Sequence, residues 1–324
     1  MQRDTEPVTT VSVAYLVLSH DQPHRVEALA RRIHELSPSG TVYVHHDAKA
    51  DDLPWQGHPP DYVHLVEPRV RVSWGRWSLV DATLKTIECA RNGSDPDWYV
   101  VISGQDWPTR NLAEWEEWLG TCPCDALLEA HRVERSARGT HPERDELIRY
   151  QHRWFVLSRP SNAFVRKSTS FVGYALRLMT RPTKTWVSVI RFYGRGWAVG
   201  IRRAGGLPPD WQYYKGSQWM ALNRYAVATI LDNPEHAVLA DHFHRTLMPD
   251  EAYIHTILYN TLELSVVNAP ITFVSWAKWR DNLVLDREDI DDIQQAGTPF
   301  ARKVDPEHDA ELLQLIDAMV DARR

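Results

Sequence analysis

No stretch of the 324 residues approaches the ~20 consecutive apolar side chains that cross a bilayer, so a membrane-spanning helix is not expected. The opening Met1-Gln2-Arg3-Asp4-Thr5-Glu6-Pro7 has no apolar segment behind its charges, which predicts a soluble, unprocessed chain with residues 1–10 disordered. Cysteine is scarce: Cys89, Cys122 and Cys124 are too few for a disulfide framework, and Cys122-Pro123-Cys124 lacks the spacing and companions of a zinc site. That usage fits a reduced, cytoplasmic location. Basic residues are dispersed in a chain of net charge −6, so the electrostatic footprint of a nucleic-acid binder is missing. There are no repeats and no low-complexity tracts. What is present is enough apolar material, 43%, for one large domain or two ordinary ones, and fourteen tryptophans. Tryptophan supplies flat faces for sugars or bases, although a core can absorb half or more of them.

Alternation of buried runs with helical periodicity predicts a parallel sheet. Val11 to Ser19 is a continuous apolar run of strand length, followed by His20-Asp21-Gln22-Pro23 and an amphipathic stretch from Val26 to Leu36. Thr41 to His45 and Tyr62 to Val66 read as short buried strands, Ser78 to Ala90 as a helix, Trp98 to Ser103 as a fourth strand, and Leu112 to Leu119 as a short helix. Such a half binds ligands outside the carboxyl ends of its strands. From Glu134 to Gly206 the pattern loosens and reads as helices broken by mobile loops, with Arg159-Pro160 and Arg181-Pro182 among the breaks.

Several short constellations carry chemistry, each beside a plainer reading. Asp47 ends a buried strand, where an aspartate touches a nucleotide or simply caps a loop. Trp74, in Val72-Ser73-Trp74-Gly75-Arg76-Trp77, reads as a stacking wall or as half of a core pair. Ser103-Gly104-Gln105-Asp106-Trp107-Pro108 places a turn, two polar side chains and an aromatic at a strand end, more than a connection requires. Lys215-Gly216-Ser217-Gln218-Trp219 reads as a tight turn anchored by its tryptophan. In Met248-Pro249-Asp250-Glu251 the acidic pair follows a proline and precedes helical periodicity from Ala252 to Leu258. It therefore falls in a first helical turn, where backbone N–H dipoles favour carboxylates whether or not they are catalytic.

Taken in order, Ala14-Tyr15-Leu16-Val17-Leu18-Ser19-His20, Val44-His45-His46-Asp47, Ser73-Trp74-Gly75, Ser103 to Pro108, Gly216-Ser217-Gln218-Trp219, Pro249-Asp250-Glu251 and Phe300-Ala301-Arg302-Lys303 resemble the core-2/I-branching β-1,6-N-acetylglucosaminyltransferase family, over residues 11 to about 305. The resemblance implies an α/β fold of GT-A glycosyltransferase type, with a Rossmann-like, mostly parallel sheet flanked by helices. Residues 11–120 would form the nucleotide-binding half and 121–324 the acceptor-binding and catalytic half of one domain. It implies a UDP-sugar donor, no metal ion or other cofactor, and inversion at the anomeric carbon. Glu251 matches the family's catalytic base, Asp47 its nucleotide-contacting aspartate, and Arg280 and Lys303 the cations that replace a metal at the diphosphate. Glu129 and Trp276 look like its acceptor-side glutamate and tryptophan, and Arg149 is a looser match in a divergent segment. Trp74, Gln105, Asp106 and Arg302 are assigned to the donor side, and Gln218, Trp219 and Asp250 to the acceptor side. The chain departs from the animal enzymes in lacking their membrane anchor and paired cysteines. The expected acceptor is therefore a small molecule or saccharide met by a cytoplasmic, bacterial-type enzyme.

The residues offer one spelling to weigh for a metal. Asp95-Pro96-Asp97 has the Asp-x-Asp spelling of a metal loop but precedes the fourth strand, on the wrong edge of the sheet, and reads as a turn. Asp51-Asp52 and Asp289 to Asp292 read as solvated charge. A diphosphate leaving group then requires cations, and the tail offers Arg280, Arg302 and Lys303. The expected product is a β-glycoside of glucose or N-acetylglucosamine. Two other readings stay open: a catalytically inactive glycan- or nucleotide-binding relative, and a glycoside hydrolase pairing Glu251 with Asp106 or Glu129.

Overall fold

The computed structural model describes residues 11–55, 58–134, 145–158, 173–176, 186–192, 196–203, 205–276, 278 and 283–322. Residues 1–10, Arg280, Arg159-Pro160 and Arg181-Pro182 lie outside the described residues. The first strands follow from apolar runs bounded by turns. β1 (Val13–Ser19) leads into helix α1 (Pro23–Leu36), and β2 (Thr41–His46) and β3 (Val63–Leu65) precede α2 (Trp77–Gly93) and β4 (Trp98–Ser103). β1 pairs in parallel with both β2 and β4, and Leu18 is level with His45 on one side and Ser103 on the other. The carboxyl ends of the three central strands therefore finish together on one edge.

Beyond β4 come β5 (Asp106–Pro108), α3 (Leu112–Thr121), β6 (Ala126–Arg132) and, after α4 (Glu146–Gln151), the strands β7 (His152–Ser158), β8 (Val187–Arg191), β9 (Gly196–Arg202) and β10 (Tyr214–Asn223). Three helices follow, α5 (Arg224–Asp232), α6 (His236–Phe243) and α7 (Tyr253–Asn260), then β11 (Val266–Val267), β12 (Thr272–Val274), α8 (Ile290–Ala296), β13 (Phe300–Arg302) and α9 (Ala310–Asp321). The main sheet has seven strands in the order β11-β6-β10-β4-β1-β2-β3, and β10 alone runs against the rest. Alternate residues of each strand feed two apolar layers. Tyr15, Val17 and Val100 pack with α1, α3 and α9; Leu16, Tyr99 and Val101 pack with α2, α5 and α7. The fold is thus α/β with a mostly parallel sheet between helices, as the sequence predicts. Among the described residues no helix is long and apolar enough to cross a membrane.

Three expectations are corrected. Among the described residues of the region from Glu134 to Gly206, an antiparallel sheet, β7-β9-β8, joins the short helix α4, where the sequence predicts only helices and loops. Its strands alternate Trp154 inward and Phe155 outward, and Gly200 lets the Trp154 ring lie where a Cβ would sit at 2.9 Å. The segment Lys215 to Trp219 is not a tight turn but part of β10, interrupted by a register shift between Gly216 and Met220. Pro249–Glu251 forms its own 3-10 turn ahead of α7. Cys122 and Cys124 are bonded to each other, a bridge the sequence reading did not foresee. Asp95-Pro96-Asp97 is the expected turn: Asp97 accepts from the Ser12 amide and hydroxyl and pairs with Arg224, at the amino end of β4.

Candidate active site

The loop after β2 is organised by its own polar side chains. His46 Nε2–H donates to the Asp51 carbonyl at 2.9 Å, which leaves Nδ1 to accept from the Ser19 hydroxyl at 2.7 Å. Burial pushes the pKa of both His45 and His46 down, so neither carries charge near neutrality. Asp47 is buried, and its Oδ1 accepts from the Lys49 and Val72 amides at 2.9 and 3.2 Å. This is the loop-closing geometry of the plainer reading; Oδ2 lies 3.5 Å from Lys49 Nζ.

After β4 the polar loop builds a cationic shelf. Asp106 is fully buried and accepts from the Ser103 amide and, at 2.9 Å, from Arg302 Nε. Burial pushes the Asp106 carboxyl up, against the pull of Arg302 and the Ser103 amide. The register of β5 against β13 sets Asp106 opposite Arg302, so a strand pair fixes this contact. The other face of the guanidinium lies over Trp219, 4.4 Å from the ring centroid. Lys303 is next in the chain. Its ammonium has no hydrogen-bond or ion-pair partner among the described residues, and its pKa is lowered by burial and then by Arg302, with Arg25 adding to that and Asp21 opposing. Arg25, on the first turn of α1, donates to the Gln105 carbonyl at 2.8 Å, while the Gln105 amide group holds Asp21 at 3.1 Å. The sequence reading missed Arg25, whose only local signal is a proline-led helix start.

The acidic turn is fastened from both sides. The Met248 amide donates to the Gly75 carbonyl at 3.1 Å, and Gly75 has φ +68 with Met248 Sδ and Phe192 Cζ at 2.7 and 2.9 Å from where a Cβ would be. The glycine of Ser73-Trp74-Gly75 thus seats the turn. Trp77 is buried, edge-on to Tyr253, and Trp74 is 38% exposed beside Phe192. Met248, Leu247, Phe192 and Trp154 form a small core shared with the β7-β9-β8 sheet. Glu251 Oε2 then lies 3.4 Å from Lys215 Nζ; burial raises its pKa, and Lys215 and Arg149 pull it down. Asp250 turns inward. Its Oδ1 and Gln218 Nε2 are buried without hydrogen-bond partners among the described residues, and both residues line one small cavity with Thr83 and Tyr253. Burial, and then Glu251, push the Asp250 carboxyl up to about 7.

The bulge of β10 ties these pieces together. Lys215 on one shoulder meets Glu251, and Trp219 on the other underlies Arg302. His255 Nε2–H donates to the Ser217 carbonyl at 2.7 Å, and burial lowers this ring's pKa to about 4, so the tautomer is fixed. Glu129 is exposed on β6. Trp276 is 66% exposed and has no ring contact among the described residues. Lys215, Glu146 and His131 also converge here; the sequence reading quoted Lys215 only as part of a turn and did not single out Glu146 or His131. A cleft of about 590 Å³ lined by Arg132, Gln151, Arg203 and Tyr213 includes none of the expected residues.

The family described as Core-2/I-Branching enzyme matches residues 13–295. A β-glucuronosyltransferase of Arabidopsis thaliana is 24% identical over 251 residues, which cover 74% of this chain and 47% of that protein. A xylosyltransferase of Drosophila melanogaster is 23% identical over 286 residues, 85% of this chain and 27% of that protein. The chain therefore spans half or less of the length of these relatives. Among solved structures, apo mouse xyloside xylosyltransferase 1 aligns over 90% of this chain and 97% of its own at 11% identity and a TM-score of 0.33, a likeness on which nothing is built.

Proposed function

The chain belongs to the core-2/I-branching enzyme family, and from that premise we propose that it transfers a sugar from a UDP-sugar to an acceptor hydroxyl, inverting the anomeric carbon in one in-line displacement. Glu251 removes the acceptor proton as its oxygen attacks, forming a β-glycoside of a hexose, glucose or N-acetylglucosamine, on a small-molecule or saccharide acceptor. Lys303 and Arg302, supported by Arg25 and with Arg280 as a further candidate outside the described residues, take up the charge of the departing diphosphate without a metal ion. The observation that carries this reading is the β10 bulge, whose one shoulder meets the Glu251 carboxylate and whose other underlies Arg302, next in the chain to Lys303. Asp106 is fully buried against Arg302, a poor second carboxylate for a hydrolase.

Thermal shift with UDP, UDP-glucose, UDP-N-acetylglucosamine, UDP-xylose and UDP-glucuronate tests the donor side, since a ligand at a hundredfold its Kd stabilises by about 2.7 kcal/mol. At least one of these raises the melting temperature, with or without EDTA, and Lys303→Ala removes the gain. Glu251→Gln keeps the gain while turnover falls roughly 10²–10⁴-fold. A melting temperature indifferent to every uridine ligand, or a Glu251→Gln protein with parental turnover, would sink the proposal.

A further inference from the structure

One ammonium in this site serves two carboxylates. Lys215 Nζ, on β10, lies 2.9 Å from Glu146 Oε1 of α4 and 3.4 Å from Glu251 Oε2. The other Glu146 oxygen lies 3.0 Å from His131 Nε2 of β6, whose side chain is 58% exposed. The lysine itself is 19% exposed and flanked on both sides, so it has little freedom to leave either partner. The shorter contact goes to Glu146, and Glu251 receives the remainder of the cation's field. Burial acts first on all three groups, disfavouring their charged forms. Contact with His131 and then Lys215 leaves Glu146 below its ordinary pKa, the two carboxylates leave Lys215 above its own, and Glu251 stays above. A carboxylate that owned the lysine outright would be a weaker base; one without it would hold its proton too tightly to accept another near neutrality.

We propose that Glu146 and Lys215 are positioning residues for Glu251, and that dividing one ammonium between two carboxylates sets how strongly Glu251 binds a proton. This rests on the reading of Glu251 as the general base. The other charged or titratable groups around the pair are Asp250 beside Glu251, Arg149 and Tyr150 from α4, and His131 and His255 next to Lys215. All of them remain in the variants used to test it.

The test needs no substrate. In protein carrying glutamate labelled with ¹³C at the carboxyl carbon, the Glu251 resonance is identified by its loss in Glu251→Gln and titrated by NMR. Lys215→Met raises the Glu251 pKa by about 1–3 units, the usual size of a nearby opposite charge. Glu146→Gln lowers it by about one unit, because the rival for the lysine is gone and a like charge with it. Lys215→Arg keeps the cation and moves the value less than Lys215→Met does. Opposite shifts in the Met and Gln variants support the proposal. Shifts of the same sign, or no shift in either, overturn it. Should Lys215→Met fail to fold, Glu146→Gln decides alone: a fall supports, constancy or a rise overturns. A titration that behaves as proposed in a protein whose Glu251→Gln variant turns over normally overturns the base assignment and leaves the divided lysine standing.

Discussion

Asp250 and Glu251 are adjacent carboxylates with different surroundings, and only one of them has a lysine. Asp250 keeps its proton up to about pH 7 in the folded protein but only to about 4 when unfolded. Folding therefore takes up a proton between those values, and the folded state is favoured by acid and penalised above pH 7. Asp250→Asn, which mimics the protonated form, should raise stability at pH 8 by on the order of 2 kcal/mol, with the gain vanishing near pH 4. Melting curves at the two pH values check this, and an equal gain at both would refute it. The sequence marked Asp250 for the acceptor, yet it lines an interior cavity, its Oδ1 without a hydrogen-bond partner among the described residues. The sequence singled out Asp47 by its place at a strand end and Glu251 by its place in an acidic turn, and their roles, with that of Lys303, come from the resemblance. Arg25 and Glu146 were not singled out, and Lys215 was quoted only within a turn, because each acts on a partner brought from a remote segment.

At the scale of elements, the bulge in β10 depends on a glycine whose role the sequence does not display. A Cβ on Gly216 would sit 1.7 Å from the Glu129 carbonyl oxygen, a backbone atom that cannot swing aside. Gly216→Ala should part β10 from β6 and cost on the order of 3 kcal/mol. Urea denaturation reads the loss, and an unchanged midpoint would show that the strands yield at little cost. This part of β10 read as a turn because Lys-Gly-Ser-Gln has neither alternation nor an apolar run; it joins the strand because Lys215 and Gly216 pair with β6, and from Met220 to Leu222 both β4 and β6 pair with it. The β7-β9-β8 sheet was hidden for a related reason, since arginines and glycines dilute its strands, whose Trp154, Ile190 and Ala198 pack with Leu247 and Met248.

At the scale of the whole molecule, β1 and β4 were legible because strands buried on both faces are continuous apolar runs. The division at residue 120 does not correspond to a break in the sheet, because β6, β10 and β11 continue the one that β1 to β4 begin. Trp107 Nε1 donates to Asp317 and Arg32 reaches Asp321, both on α9. A fragment of residues 11–120 should accordingly show no cooperative melt by circular dichroism; a sharp transition would mean that half folds alone. The lone antiparallel strand has a further consequence for the nascent chain. β4 and β6 leave the ribosome with the space between them vacant, and roughly eighty more residues must follow β6 before β10 is made. At about 5–20 residues per second two bare strand edges wait several seconds for their partner, the interval in which this chain is most open to edge-to-edge pairing.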